Sequence, residues 1–589
     1  MHVTILGGGG FRVPLIARQL AASGLPVTEV SLYDTDPGRL AVMAGVLAGD
    51  RQTGGLPVTI ADGLDQALRG ADIIFAALRP GGLDGRVSDE RSALAAGVLG
   101  QETVGAGGLA SAARTVPVAD AIARRVADLA PDAWLISMTN PAGIVTEVMS
   151  AVLGPRVIGV CDSPVGLVRR ACRACDIDPG PGLGTVTDRV NADYLGINHL
   201  GWLRGLRAAR TGEAGGAWEA GEAFRAGGAW EASEAFGAGG AWEASEAFGA
   251  GGADGAGRAD GAGGGRGADL LPGLLADPAR LLLTEEGRLF GPDVLRSLGS
   301  IPNEYLYWYY AGAEALRDVL AAGRTRGEHV RGRQQEFYAA AAAALTAVSG
   351  TMVPPGTMVP LAGCGPEAAA RLWQQANDER NRSYFAELRT GEQAGERDEA
   401  DLAAGGYESV AVALAAALAG GPAAQLILNV PNQITVPALP PGLVLEVPCR
   451  VDAAGAVPLP VSAPTAHQLG LMSVVRGCER DIADAALLAA RPAGPHAAAR
   501  ARDLALRAFA THPLVGSLGA ARSLAAAVLD PASHHTQLSY RFTVIYEPRA
   551  SRLQGRHSQR RPAAAPEPHW QLRSTKLRAC TGRCREAPL

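Results

Sequence analysis

The chain holds a single lysine, Lys576, among its 54 basic residues. The rest are arginine, and with 76 glycines the bias reads as a GC-rich coding sequence rather than a physical adaptation. A surplus of positive charge is also missing. Acidic residues number 59 and the formal net charge is -5, which argues against nucleic acid as a partner, because duplex binding usually shows a strongly basic face. No uncharged stretch approaches the roughly 20 apolar residues of a membrane span, so no membrane partner is expected. Met1 runs straight into an apolar strand and a glycine cluster, without the basic region and cleavage site of a signal peptide. Eight scattered cysteines make no disulfide framework, and the expected setting is a reducing cytoplasm. What is present is a chain of 589 residues, 47% apolar and 19% charged, long enough for several packed layers around a large core.

The first half alternates short apolar runs with helical stretches. HVTILG reads as a buried strand, followed by glycines and the helical VPLIARQLAAS; VSLYD is a second strand, followed by a helix from about Pro37 to Leu47. ADIIFAAL and AWLISMT read as two further buried strands. Continuous apolar runs joined by helices predict parallel βαβ units and a doubly wound, Rossmann-type α/β sheet over residues 1–165. Beyond Cys161 the pattern turns mostly helical, with strand-rich patches at QLILNV and GLVLEVPCRV. This predicts an α+β substrate domain over 166–532, the arrangement of lactate and malate dehydrogenases.

Two segments read as additions. Within 212–267 a twelve-residue unit, GGAWEAGEAFRA, returns twice as GGAWEASEAFGA and decays into glycine-rich sequence. So little aliphatic surface predicts a flexible insertion rather than a solenoid. The tail 533–589 is basic, with eleven Arg or Lys between Arg541 and Leu589 against three Glu. It reads as a disordered extension, with an arm for an anionic partner as the alternative. GTMVP, at Gly350 and again at Gly356, is a short local duplication.

The chemistry begins at ILGGGGFRVP. A glycine turn (Gly7, Gly8, Gly9, Gly10) leading through Phe11 and Arg12 into a helix suits a pyrophosphate, although it is not a clean G-x-G-x-x-G. The acid ending the second strand, Asp34, stands where a ribose hydroxyl would be bound, which favours NAD; Arg39 leaves a role for NADP open. From Leu78 to Gly108 a glycine-rich, loop-rich crossover crowds Arg86, Asp89, Glu90, Arg91 and Glu102 together. Beside a cofactor strand this reads as functional rather than as a solvated loop. Asn140 follows another strand, Cys161 and Asp162 the next, and NHLGW carries His199. A thiolate and an imidazole suit a borderline divalent ion, but a free cysteine is more often a small buried hydrophobe.

These motifs, with CDSPVG, IPNEYLYWYY, RTRGE, LILNV and ATHPLV in the same order, resemble glycoside hydrolase family 4. The resemblance covers about Met1 to Arg210 and Leu270 to Leu529. It implies a mechanism unlike that of two-carboxylate glycosidases. A metal, usually manganese, is held by residues matching Cys161 and His199. Hydride passes from sugar C3 to NAD, and the ketone acidifies the C2 proton. A tyrosine matching Tyr305 removes that proton, C1 loses its leaving group by elimination, water adds and the hydride returns. Glu102 matches the acid that makes the tyrosine more basic, and Asp162 the proton donor of α-acting members. Arg86, Asn140 and Arg326 match substrate-binding positions.

The expected substrate is a small phosphorylated glycoside, and the expected state a homo-oligomer, dimer or tetramer. CDSP favours α-chemistry, while RPGGLDGRVSDE and DYLGINHLGWL favour the 6-phospho-β-glucosidase branch, toward which the reading leans. The rival readings are a 2-hydroxy-acid dehydrogenase, which needs a His–Asp pair, and a sugar-phosphate sensor without turnover.

Overall fold

The computed structural model describes residues 1–180, 189–208, 268–347, 365–383, 406–491 and 494–529. The repeat insertion, the GTMVP duplication and the basic tail lie outside the described residues. All four apolar runs of the first half form strands: β1 (His2–Leu6), β2 (Glu29–Tyr33), β4 (Ile73–Ala76) and β5 (Trp134–Ser137). With β3 (Val58–Ile60) and β6 (Val157–Val160) they make a parallel sheet in the order β3-β2-β1-β4-β5-β6. The register sets Val3 between Val30 and Ile73. Burial on both faces explains the unbroken apolar runs: Val3, Ile5, Val30, Leu32, Ile74 and Phe75 are fully shielded. Strand order reverses at β1, between β2 and β4, where a doubly wound sheet opens a crevice for ligands.

The same sheet continues with antiparallel strands. β10 (Ala424–Pro431) pairs with β6, and β11 (Val444–Asp452), β7 (Val190–Ile197), β8 (Leu200–Ala208) and β9 (Ile301–Pro302) follow in that order. β12 (Gly455–Pro458) hangs on β11. The strand patches at QLILNV and GLVLEVPCRV are therefore β10 and β11. The β7–β8 hairpin was not legible as strands. Tyr194, Leu195, Ile197, Leu200, Trp202 and Leu203 are all buried, so the alternation that marks a half-exposed hairpin is missing.

The crossover after β4 also differs from expectation. It is not loop-rich: Gly82–Ala95 is a helix, and a second helix starts at Gly105 and runs to Leu129. Most of its charges are not solvated either; Arg91 alone of the five is exposed, paired with Glu328. Asp89 is 2% exposed and Glu90 1% exposed. Burial pushes the Asp89 carboxyl up, and Arg114 opposes it with two hydrogen bonds of 2.9 and 2.6 Å. Glycines at 81, 82 and 85 hid the helix, and its partner Arg114 comes from the next one. Helices Ala466–Ala490, Gly494–Thr511 and Leu518–Leu529 cover Gly105–Leu129 through an alanine- and leucine-rich core. Arg326–Thr346 and Pro366–Arg382 pack on Pro37–Gly49 through Phe337, Trp373 and Met43. No helix among the described residues is long and apolar enough to cross a membrane.

Candidate active site

A cavity of about 630 Å³ lies at the carboxyl ends of the parallel strands, lined by residues that follow five of them: Gly7, Asp34, Leu78, Met138 and Asp162. The first turn is set by close approach. Gly7 has φ +89°, and a Cβ there would stand 2.4 Å from the Ala77 carbonyl oxygen, so only glycine fits. The glycine N–H groups close the turn on itself. Gly7 and Gly8 donate to the Tyr33 carbonyl, Gly10 donates to Gly7, and Gly9 donates to the Asp34 carboxylate at 2.9 Å. Asp34 also accepts from Asp36 N–H at 3.0 Å, which pins it at the rim of the cavity. The start of helix Val13–Ala22 then reaches the cavity, a favourable end for an anion.

The wall opposite is rich in guanidinium groups. Arg86 is held by two carboxylates, Glu90 at 2.7 Å and Glu102 at 2.5 Å. Burial pushes the Glu102 carboxyl up, but Arg79 and then Arg86 outweigh it and hold it down at about 2. Arg326 donates to Ser383 Oγ and to the Arg380 carbonyl, at 3.0 and 3.3 Å. Arg380 lines the cavity too, with its guanidinium brought down to about 9 by burial and by the charges of Arg12, Arg326 and Arg79. A buried guanidinium among three others marks a place where an anion would be welcome.

His199 occupies the two-residue turn between β7 and β8, at φ 62°, a backbone region that non-glycine residues seldom adopt. It is 1% exposed, and neither ring nitrogen has a hydrogen-bond partner among the described residues. Burial brings its imidazole down to about 3, so the ring is neutral, and Glu102 acts in the opposite sense. The Tyr305 ring lies flat on it, centroids 3.7 Å apart. Cys161 directly follows β6, fully buried, with Ser163 Oγ at 3.2 Å and the Tyr407 hydroxyl at 3.8 Å from its sulfur. Burial, then Glu446 and Asp162, push the Cys161 thiol up. A bound cation would reverse that.

A neutral, buried imidazole without a hydrogen-bond partner among the described residues and a buried sulfur beside two hydroxyl groups suit a divalent ion with open positions. Among the described residues no three His, Cys, Asp or Glu side chains cluster as a closed cage. The turn bearing His199 is anchored through Asn198, which donates to Glu446 at 3.3 Å and accepts from Ala142 N–H at 3.1 Å. Glu446, raised to about 7 by burial, also takes hydrogen bonds from Tyr194 and Asn429.

Of the residues named from sequence, Gly7, Gly10, Phe11, Arg12, Asp34, Arg86, Glu102, Asn140, Asp162, Tyr305 and Arg326 line this one cavity. Gly8 and Gly9 pack away from it, against Leu32 and Asp34. Phe11 touches the cavity, but its ring packs with Phe337 and Trp373. Cys161 and His199 are absent from the cavity's lining; Cys161 adjoins Asp162, and His199 is covered by the Tyr305 ring. Sequence reasoning missed Arg380, Tyr407 and Tyr338. Tyr407 stacks under Arg12 at 4.8 Å. Tyr338 donates to the Gly9 carbonyl at 2.7 Å and carries Arg39 on its ring at 4.3 Å. Each comes from a helix far along the chain, with no local pattern to announce it.

The strand order and the cavity at its reversal put the chain in the broad class of enzymes built on a dinucleotide-binding sheet. The sequence narrows that class. Residues 2–177 match the family 4 glycosyl hydrolases, and residues 262–515 match the C-terminal domain of the same family. These segments take in well over half of the chain, which belongs to glycoside hydrolase family 4. It is 36% identical over 204 residues to a probable 6-phospho-beta-glucosidase of Bacillus subtilis, covering 34% of this chain and 44% of that protein. It is 32% identical over 212 residues to 6-phospho-alpha-glucosidase 1 of Lacticaseibacillus paracasei, covering 35% and 46%. The chain thus spans just under half the length of these curated relatives. Its fold matches that of the 6-phospho-beta glucosidase from Thermotoga maritima solved with NAD and glucose-6-phosphate. That match has a TM-score of 0.61 at 21% identity, over 90% of this chain and 98% of the other.

Proposed function

We propose that the protein hydrolyses 6-phosphorylated β-glucosides by the NAD-dependent redox–elimination route. The observation that carries the substrate class is Arg380, a cavity guanidinium that forms no ion pair with a carboxylate among the described residues and is gathered with the cations Arg12, Arg326 and Arg79. A phosphate dianion would offset the mutual repulsion of these cations and accept the fork of N–H donors of Arg380. When bound, NAD and a divalent ion such as manganese supply the hydride acceptor and the Lewis acid. Phe11, Arg12 and Asp34 hold the dinucleotide, Cys161 and His199 the ion, and Arg86 and Asn140 the sugar.

Tyr305 takes the C2 proton. A tyrosine near pKa 10 is a weak base at neutral pH, so the carbanion must form where positive charge already waits. Glu102, anionic at any working pH, strengthens a neighbouring base by disfavouring negative charge on it. A second reading, α-linked substrates, is favoured by Asp162 beside Cys161 in the cavity, where it could protonate a leaving group.

Arg380→Met tests the phosphate. The kcat/KM for nitrophenyl β-glucoside 6-phosphate should fall about 10–100-fold, the worth of one charge-assisted contact, while the unphosphorylated glucoside changes little. Equal losses on both substrates would remove Arg380 from phosphate recognition. The dehydrogenase reading fits poorly, because among the described residues His199 has no carboxylate partner of the kind a His–Asp pair requires.

A further inference from the structure

We infer that Asn303 is a positioning residue that aims the Ser163 hydroxyl hydrogen at the Cys161 sulfur and ties that contact to the turn bearing Tyr305. The inference rests on Cys161 being a metal ligand.

Asn303 is fully buried and directly precedes the turn Glu304–Leu306. Its Oδ1 accepts from the Tyr305 N–H at 3.1 Å. A backbone N–H can only donate, so the side-chain oxygen is fixed there and the amide nitrogen must point the other way. That nitrogen meets Ser163 Oγ at 2.9 Å. Since an amide N–H also only donates, Ser163 Oγ is the acceptor in this contact. Its single hydrogen is then available to its other partner, the Cys161 sulfur at 3.2 Å. The hydrogen-bond direction runs from Asn303 to Ser163 to sulfur, and the reverse is excluded at the first link.

A second hydroxyl, that of Tyr407, lies 3.8 Å from the same sulfur and accepts from its thiol. An O–H donor aimed at a buried sulfur suits a thiolate ligand, and such outer hydrogen bonds orient a ligand and tune its affinity. Asn303 holds the histidine side as well. Its backbone N–H donates to the Gly201 carbonyl at 2.9 Å, on the strand that leaves the His199 turn. One residue thereby touches the supports of both proposed metal ligands and of the proposed base. A turn cap alone would need only the Oδ1 contact.

The test uses full-length protein loaded with Co²⁺, whose thiolate-to-metal absorption band reports on the sulfur directly. Ser163→Ala removes the donor and leaves the Asn303 turn contact in place; Asn303→Leu removes the residue that aims it. Both variants should move the band in the same direction and raise the Co²⁺ dissociation constant about 10-fold or more. The double variant should move the band no further than Ser163→Ala alone, because the two act through one contact. A wild-type band that stays in place, with unchanged affinity, in Ser163→Ala overturns the inference even if Asn303→Leu does not fold. A band that moves in Ser163→Ala but not in a folded Asn303→Leu also overturns it, leaving Asn303 a turn cap. Absence of the band in the wild type overturns the metal assignment, and the inference with it.

Discussion

Cys161→Ser and His199→Ala should each abolish turnover while leaving NAD affinity nearly unchanged. The glycine turn and Asp34 are held by hydrogen bonds to the Tyr33 and Gly7 carbonyls and from the Gly9 and Asp36 N–H groups, so the dinucleotide end of the cavity should keep its geometry. The loss should exceed the roughly 10–100-fold that follows removal of a ligand's outer hydrogen-bond partner, because the ligand itself is gone. Both residues are buried, and neither ring nitrogen of His199 has a hydrogen-bond partner among the described residues. Replacing the imidazole therefore breaks no hydrogen bond, and thermal stability without metal should change little from that source. Manganese stoichiometry by elemental analysis, alongside NAD titration, checks both halves. Unchanged manganese content in either variant would sink the assignment.

Tyr305→Phe should cost about 10²–10⁴ in kcat, the usual worth of a positioned general base. The substitution removes one oxygen and keeps the ring that lies 3.7 Å above His199. Melting temperature and metal content should therefore hold while the chemical step fails. A fall in kcat and kcat/KM together marks an interaction made in the transition state. A variant retaining more than a tenth of wild-type kcat would show that another group takes the proton.

What could be read from the sequence follows from where the information sits along the chain. The buried strands were legible because shielding on both faces leaves continuous apolar runs, as in Ile73–Ala76. The first turn was legible because Gly7 must approach the Ala77 carbonyl closely. The hairpin bearing His199 was not, since both of its faces are buried and its alternation is erased.

At the site, Cys161, His199 and Tyr305 stood out only as an ordered set of motifs resembling a family. Taken singly, each had a plain packing explanation. The tyrosine run shows the difference that three dimensions make. Tyr305 lines the cavity, whereas Tyr309 lies against His512 and Tyr310 bonds Trp202 and His467. Nothing in IPNEYLYWYY alone distinguishes them. Arg380 was invisible for another reason. Its meaning comes from Arg12, Arg79 and Arg326, which belong to separate elements and meet only in the fold. Glu102 was named as a tuning acid, and the structure adds that two arginines already compensate it.

The central claim is that the glycosidic bond breaks by elimination after C2 is deprotonated, and isotope exchange tests it most directly. Wild-type holoenzyme, with NAD and manganese, turns over the 6-phospho-β-glucoside in D₂O, and the sugar product is examined by NMR. The account predicts deuterium at C2, and no product from enzyme stripped of NAD. Displacement at C1 through a pair of carboxylates exchanges nothing at C2 and needs no dinucleotide. Product free of C2 deuterium, from cofactor-stripped enzyme that is still active, would contradict the account.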